Sequence, residues 1–329
     1  MAPLLVQDYK LMEQKPNAAA AHGAFTVTHG IAHWTKASLF SHAGKKTECL
    51  ARFSTPGAER TPLGFDLRFF TEEGDWDLVG TSIPVHFVRD PSIEPPPRVR
   101  DFWPLSPESL HYITLLFSDR GAPSSYHQIN GYPRQTFRLI NANNEPVWCK
   151  FHCKTMQGAT SLTRAHAGNS LPKWCLAAQI MTEAEAATLE YNPFNLTKIW
   201  PQSRFPLHEV GILELNRAAE AAQEDFDPAK LVPGISRPPA QATPAGSSDN
   251  DDYSQPGNLF RLMIAAERER LIFNLVAAMQ GVPEPILLRQ ICQFFLCDPA
   301  YGKLIADGLG LSLDQALAPE LVRPKTAIG

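Results

Sequence analysis

Two neighbouring stretches of the sequence carry side chains that could transfer protons. In GFDLRFF, Asp66 and Arg68 alternate onto one face of a predicted strand, where they could pair with each other. A dry carboxylate at this position could instead act as a general base with a raised pKa. His86 follows in PVHFV, and such a histidine is either a packed structural residue or a proton-transfer group. Both interpretations remain open for Asp66 and for His86.

The segment that must position these residues is β-rich, from about residue 24 to 220. Runs of aromatic and β-branched residues bounded by Gly, Pro and Asp predict strands over 23–28, 49–54, 64–71, 85–88, 136–141 and 147–155. In VWCKFHCKT, alternation places Cys149, Phe151 and Cys153 on one face, opposite the face that bears His152 and Lys154. Many strands with turns between them favour a barrel, because closure removes the edges of a sheet.

The pattern changes after residue 235. Residues 236–251, SRPPAQATPAGSSDND, have the composition of a linker. Helices are predicted beyond it, the last of them with Asp298 as N-cap and Pro299 in its first turn. The apolar residues that recur at helical spacing are Leu259, Met263, Leu271, Leu275 and Met279. The predicted organisation is an N-terminal arm (1–23), a β-barrel (24–235), a polar linker (236–252) and a helical region (253–329).

Composition excludes several classes of function. The chain has 329 residues, of which 44% are hydrophobic and 19% charged, as in an ordinary globular protein. A formal net charge of −4 disfavours nucleic-acid binding. The sequence contains no run of about 20 apolar residues that would span a membrane, and its six scattered cysteines fit a reducing compartment. We therefore expect a cytoplasmic protein that binds neither nucleic acid nor membranes.

Several runs resemble the catalase family, in order, along most of the chain. They include FTVTHGIAHWTKASLF, GFDLRFFTEEGDWDLVG, DFWPLSPESLHYITLLFSDRG, INGYPRQTF and FDPAKLVPGI. The tail from YSQPGNLFRLM resembles the last helices of small-subunit catalases. The resemblance implies an α+β protein with an antiparallel eight-stranded β-barrel of catalase type and a C-terminal helical region. It also implies a homo-oligomer, either a dimer or a tetramer.

The departures from the family concern haem. The place of the family's distal histidine falls near Lys15, and His22 is the nearest histidine. Thr81 stands where the family has its distal asparagine, and His86 replaces a phenylalanine that packs on the haem. The family's iron-ligating tyrosine follows a Pro-Gly-Ile segment, whereas here VPGISRPP continues into the polar linker. Because ferric haem needs an axial ligand, the comparison predicts that haem is not bound through a tyrosinate and that catalase chemistry by the family mechanism is lost.

Part of the distal site is retained. Arg52 and Ser54, in ARFSTPG, match the family's propionate-binding arginine and the serine beside its distal histidine. Arg52 is either such a ligand contact or a member of a structural ion pair. The candidate catalytic residues of a reused distal cavity are His86, Thr81, Asp66, His22, Ser54 and Arg52.

A second set of residues resembles the NADPH site of small-subunit catalases, on the outer side of the barrel against the helices. The matching residues are His111, Arg120, Asn130, Tyr132, Lys154 and Trp200. Arg and Lys suit phosphate groups, and Trp offers an aromatic face. NADPH is therefore a candidate cofactor, and the alternative is that these residues are retained scaffold.

Three functions remain open from the sequence. The leading one is a haem-free enzyme that binds a small apolar substrate in the former distal cavity, by analogy with repurposed family branches in specialised metabolism. The second is a non-catalytic protein that binds NADPH or another ligand. The third is a haem protein with an unorthodox ligand such as His86 and residual peroxidase activity.

Overall fold

The computed structural model describes residues 18–54, 62–89, 106–121, 126–157, 171–219, 225–238 and 251–318. The strands in these residues form one antiparallel sheet in the order β10-β6-β7-β8-β9-β1-β2-β3-β4-β5. They are β1 (Ala18–Val27), β2 (Lys46–Ser54), β3 (Gly64–Thr71), β4 (Gly74–Thr81), β5 (Tyr132–Pro133), β6 (Phe137–Ile140), β7 (Pro146–Thr155), β8 (Lys173–Met181), β9 (Leu207–Ala219) and β10 (Ile235–Ser236).

The sheet is curled, but the expected closed barrel of eight strands is wrong. The described residues form ten strands, and the end strands β10 and β5 do not pair with each other. A bridge between Gly131 and Cys153 brings the segment before β5 onto β7. Strand β5 is only two residues long and ends at Pro133, which has no N–H to donate to a ladder. The curl is therefore completed by this local contact and not by a full pair of strands.

The predicted strand over residues 85–88 is also wrong, because this segment is a bend. Nδ1 of His86 lies 3.1 Å from the carbonyl oxygen of Val88. A side chain that bonds its own neighbouring backbone competes with strand pairing. The backbone N–H of His86 donates to the carbonyl of Leu196, which fixes the bend to a loop of the chain and not to a strand.

Aromatic side chains fill the inner face of the curled sheet. The ring of Phe151 lies 5.5 Å from that of Trp76 and 5.9 Å from that of Phe40. Other fully or almost fully buried members of this core are Phe25, Phe53, Phe65, Phe69, Phe137 and Trp174. The predicted alternation along β7 is confirmed, since Cys149 and Cys153 share this core with Phe151. Polar residues of the same strands must therefore lie on the outer face.

The helices of the described residues are α1 (Leu110–Phe117), α2 (Glu183–Ala187), α3 (Ser254–Leu262), α4 (Ala265–Met279), α5 (Glu284–Cys297), α6 (Pro299–Leu309) and α7 (Leu313–Ala316). The side chain of Asp298 caps α6 by accepting from the N–H of Ala300, as predicted. The residues predicted at helical spacing from Leu259 to Met279 do not lie on one helix, because the backbone becomes extended at Met263. The predicted linker lies largely outside the described residues, and the domain bounds remain predictions.

A second hydrophobic core joins these helices to α1. The rings of Phe260 and Tyr301 stack at 4.4 Å, and the apolar stripe predicted for this region is buried at Leu271, Leu275 and Met279. Ile83 and Val85 of the bend pack into the same core. No helix of the described residues is long and apolar enough to cross a membrane. Helix α1 thus lies between the sheet and the helical region.

Candidate functional site

Arg52 and Asp66 form an ion pair on the outer face of β2 and β3. The two residues are direct register partners, and Nε and Nη2 of Arg52 lie 3.1 and 2.7 Å from Oδ2 of Asp66. Oδ1 of Asp66 accepts from the N–H of Gly80 on β4. Burial raises the pKa of Asp66, while Arg52 and Arg134 oppose this shift. Of the two roles predicted for Arg52, these contacts support membership of a structural ion pair.

Asp66 and Arg68 do not pair with each other, contrary to one of the two interpretations of the sequence. Arg68 instead makes a two-point contact with Asp77 of β4, at 2.7 and 2.8 Å, and donates to the carbonyl of Asp225. Phe226 lies over both arginines, 4.5 Å from the guanidinium of Arg52 and 4.9 Å from that of Arg68. Cation–π contacts of this kind add to the two ion pairs and help to fix the segment at 225–227 on the sheet.

Thr81 and His86 lie near this pair but are held by local contacts. The hydroxyl of Thr81 donates to the carbonyl of Ile83, and the side chain is buried. Burial, and to a smaller extent the charge of Arg134, lower the pKa of His86 to about 4. Arg134, which the sequence analysis did not select, therefore acts electrostatically on both Asp66 and His86.

Ser54 and His22 lie at the margins of the distal cluster. Ser54 is opposite Gly64, and its Oγ is so close that a Cβ added at Gly64 would lie only 2.1 Å away. His22 lies on β1 opposite Leu50, two residues along the paired strands from Arg52. Both side chains are partly exposed. Arg52 and Asp66 are thus in direct contact, the charge of Arg134 acts on both Asp66 and His86, and His22 and Ser54 belong to the surrounding strands.

Arg52 and three buried or partly buried tyrosines are described residues that bear on the predicted loss of haem. Arg52, the predicted propionate contact, already has its charge balanced by Asp66. Burial raises the pKa of Tyr191 and of Tyr253 to about 12. The pKa of Tyr301 is raised as well, and its hydroxyl lies 3.2 Å from that of Thr114.

A cleft of about 740 Å³ lies between the outer face of the sheet and the helices. Five of the six predicted NADPH contacts line it, from four parts of the chain: His111, Arg120, Tyr132, Lys154 and Trp200. The sixth, Asn130, instead accepts from the N–H of Thr155 and fixes the end of β7. The volume lies within the range of about 300–1,000 Å³ that is usual for small-molecule sites.

Two cations and an aromatic ring give the cleft its chemistry. Nζ of Lys154 donates to the hydroxyl of Tyr132 at 3.1 Å and lies 5.0 Å from the centre of its ring. Arg120 lies in the turn after α1, and its acidic neighbour Asp119 is balanced by Arg270 of α4. The ring of Trp200 is buried, and its indole N–H donates to the carbonyl of Pro193. The arrangement suits an anionic ligand that also has a planar ring.

Two buried histidines complete the wall of the cleft. His111 was predicted, whereas His152 was not, although it shares an outer face with Lys154 in the alternation of β7. Burial lowers the pKa of His111 to about 4 and that of His152 to about 3. Both imidazoles are therefore neutral at physiological pH and can accept a hydrogen bond at one ring nitrogen.

The fold and the cleft define an α+β protein with a curled antiparallel sheet and a ligand-sized site against its helices. The catalase family model matches residues 13–171 and 167–241, and the model described as catalase-related immune-responsive matches residues 246–309. The chain is 36% identical to a catalase of Aliivibrio fischeri, covering 90% of this chain and 87% of the relative. It is 34% identical to catalase A of Pseudomonas putida, covering 94% of each.

A solved structure agrees with these relatives. Catalase A from Saccharomyces cerevisiae superposes with a TM-score of 0.78 at 26% identity, covering 93% of this chain and 94% of that chain. This chain belongs to the catalase family. Its alignment with the Aliivibrio fischeri protein extends over 423 positions, more than the 329 residues of this chain, so the relative has segments without a counterpart here.

The two buried imidazoles predict an acid-labile fold. Their folded pKa values are lowered, so the unfolded chain binds protons first as pH falls from about 6.5 towards 4, and the free energy of unfolding decreases in that window. Each histidine should contribute about 2 kcal/mol to the loss between pH 6.5 and 4.5. Urea unfolding at pH 6.5 and 4.5 should show a smaller loss of unfolding free energy for His111→Phe and for His152→Phe than for the unmodified protein.

The control for this measurement is His42→Phe, on an exposed loop. It should lose as much stability as the unmodified protein over the same interval. An equal loss for all four proteins would contradict the assignment of neutral buried imidazoles.

Proposed function

We propose that this chain is a haem-free member of the catalase family that binds NADPH or a closely similar phosphorylated dinucleotide in the cleft. The observation that carries the proposal is the convergence of five predicted contacts on one cleft from four separate parts of the chain. Retained scaffold alone would not require cations and an aromatic ring to face one ligand-sized space. This convergence favours the non-catalytic binding function over the distal-cavity enzyme, which was the leading function predicted from the sequence.

The cleft residues divide into two roles. Arg120 and Lys154 would hold phosphate oxygens, because charge-assisted hydrogen bonds to phosphate are strong. Trp200 would pack against a planar ring, and Nζ of Lys150, 5.1 Å from the centre of its indole, supports it from within the protein. When bound, NADPH supplies a hydride donor, and the residues of this chain bind and orient it.

The haem-free part of the proposal is supported by three observations. The predicted propionate contact is balanced by Asp66. The Pro-Gly-Ile segment is not followed by the family's tyrosine motif. The aligned relative contains segments that this chain lacks. We therefore do not assign peroxide dismutation by the family mechanism to this chain.

Dinucleotide binding can be measured by calorimetric titration with NADPH. The double variant Arg120→Ala, Lys154→Ala should bind NADPH at least about a hundredfold more weakly, because it removes two charged hydrogen bonds that contribute about 1.5–3 kcal/mol each. The matched control is Lys46→Ala, Lys303→Ala, which removes the same charge from exposed positions outside the cleft. Absence of binding by the unmodified protein, or equal weakening in both double variants, would overturn the proposal.

Haem binding can be tested by expression in a haem-supplemented medium followed by absorption spectroscopy. We expect no Soret band at stoichiometric strength and no decomposition of peroxide above the buffer rate. The physical reason is that Arg52 is already paired and that the Pro-Gly-Ile segment is not followed by the family's iron-ligating tyrosine. A stoichiometric Soret band would reject the haem-free assignment and favour the unorthodox haem protein.

A second candidate function is acid–base catalysis at the distal cluster on a small, largely apolar substrate. The specific observation is that Asp66 and His86 have pKa values displaced in opposite directions while both sense the charge of Arg134. Burial favours the neutral form of both groups, so Asp66 could donate a proton and His86 could accept one. A role in specialised metabolism would belong to this candidate.

This second candidate can be tested by ligand-observed NMR against small ketones, alcohols and carboxylic acids. A genuine site should give ligands whose signals are lost with Asp66→Asn and retained with Asp75→Asn, an acid on the neighbouring strand. Asp66→Asn keeps the shape of the side chain but weakens the pair with Arg52, so thermal unfolding must show that the variant is folded. A screen without any ligand that depends on Asp66 would end this interpretation.

We also propose that the protein assembles as a homo-oligomer, a dimer or a tetramer. Leu262, Ile264 and Phe273 are 84%, 65% and 74% exposed in the single chain. Large exposed apolar side chains near one another in sequence are typical of association surfaces. The oligomeric state and the cytoplasmic location remain predictions.

A further inference from the structure

Two imidazole nitrogens in the wall of the cleft have no hydrogen-bonding partner among the described residues. They are Nδ1 of His111 and Nδ1 of His152, in side chains that are only 5% and 9% exposed. Leaving a buried polar atom unsatisfied costs about 1–3 kcal/mol. Two such atoms in one cleft therefore indicate that the ligand supplies what the protein does not.

The protonation of His152 follows from Gln179. The side-chain nitrogen of Gln179 donates to the carbonyls of Trp200 and Phe205, at 3.2 and 2.6 Å, which fixes the orientation of the amide. Its oxygen must then face Nε2 of His152, 2.9 Å away, and an amide oxygen only accepts. Nε2 therefore carries the proton, and Nδ1 of this neutral ring presents a lone pair.

The same conclusion holds for His111. Its hydrogen bonds with the backbone of Thr197 and with the side chain of Gln255 both raise its pKa, so both are made to acceptors. Because Nδ1 has no partner, Nε2 is the nitrogen that donates. Burial keeps the ring neutral, and its Nδ1 is also an acceptor.

We propose that His152 and His111 make the cleft selective for a ligand that presents an uncharged N–H donor, a primary amide or an exocyclic amine. This inference rests on the proposed dinucleotide function and names the group that the site recognises beside the phosphates. Two parts of NADPH have this chemistry: the amino group of adenine and the carboxamide of nicotinamide. A carboxylate or a ring carbonyl at the same position would meet a lone pair and be rejected.

Access to His152 is controlled by Tyr132 and Lys154. The rings of Tyr132 and His152 meet edge-on with their centres 5.4 Å apart, and the Tyr132 hydroxyl is held by Lys154. A phosphate that draws Nζ of Lys154 towards itself breaks this hydrogen bond and releases Tyr132 to turn. Capture of the anion thereby precedes exposure of the acceptor on His152.

The experiment compares three dinucleotides by calorimetric titration of the full chain. NADP⁺ has both donors, its hypoxanthine analogue lacks the adenine amino group, and its nicotinic acid analogue lacks the carboxamide N–H. One of the two analogues should bind at least about tenfold more weakly than NADP⁺, because a site built to bond an N–H group leaves its acceptor unpaired without it. The weaker analogue identifies which end of the ligand meets the histidines.

Gln179→Glu provides the sharpest variant. A carboxylate beside Nε2 favours the charged imidazolium, so Nδ1 of His152 becomes a donor. The discrimination between the weaker analogue and NADP⁺ should then shrink or reverse. His152→Phe should abolish the discrimination while keeping the phosphate contacts, and His42→Phe is the matched control outside the cleft. Thermal unfolding of each variant separates loss of selectivity from loss of fold.

The outcomes distinguish this inference from the function on which it rests. If all three dinucleotides bind with equal affinity, or if His152→Phe and Gln179→Glu keep the wild-type discrimination, only the donor-selective reading is overturned. If none of them binds to the folded protein, both proposals are overturned together. Discrimination that is lost with His152→Phe and kept with His42→Phe supports the inference.

Discussion

The aromatic filling of the inner sheet face is the constraint on which the rest of the molecule depends. Because successive residues of a strand point to opposite faces, a core of Phe and Trp side chains from most strands of the sheet leaves only the outer face for charged and polar groups. The ion pairs of Arg52 and Arg68 and the contacts of His152 and Lys154 all follow from this division. A ligand is therefore expected between the sheet and the helices and not inside the curl.

Two glutamines hold the loop that forms one wall of the cleft. Gln179 of β8 bonds the carbonyls of Trp200 and Phe205 from the sheet side. Gln255 of α3 accepts from the N–H of Ile199 and donates to its carbonyl, at 2.9 and 3.0 Å, from the helix side. Lys198 adds a buried contact with Asp252. The position of Trp200 is thus set jointly by the sheet and the helical region, and the cleft requires both.

Local patterns in the sequence were sufficient for some of these features and not for others. Alternation in VWCKFHCKT correctly predicted which side chains of β7 face the core. The resemblance to the family correctly predicted five side chains that line one cleft. Pairing across strands was not accessible, since Asp66 lies two residues from Arg68 but bonds Arg52, fourteen positions away. The same holds for Arg134, whose effect on His86 depends on how β5 meets β4. His152 was visible on the correct face, but its role depends on Gln179, which only the fold brings to it.

The bend at residues 82–88 explains how one chain can retain the cleft while its distal cluster changes. In a strand, Pro84 and His86 would face the same side, because they are two residues apart. In the bend, Pro84 lines the cleft, whereas His86 senses Arg134 and bonds Val88. The backbone of His86 is tied to Leu196, in the loop that carries Trp200. The two regions therefore share a backbone wall, whereas none of Arg52, Asp66, Arg134 and His86 lines the cleft.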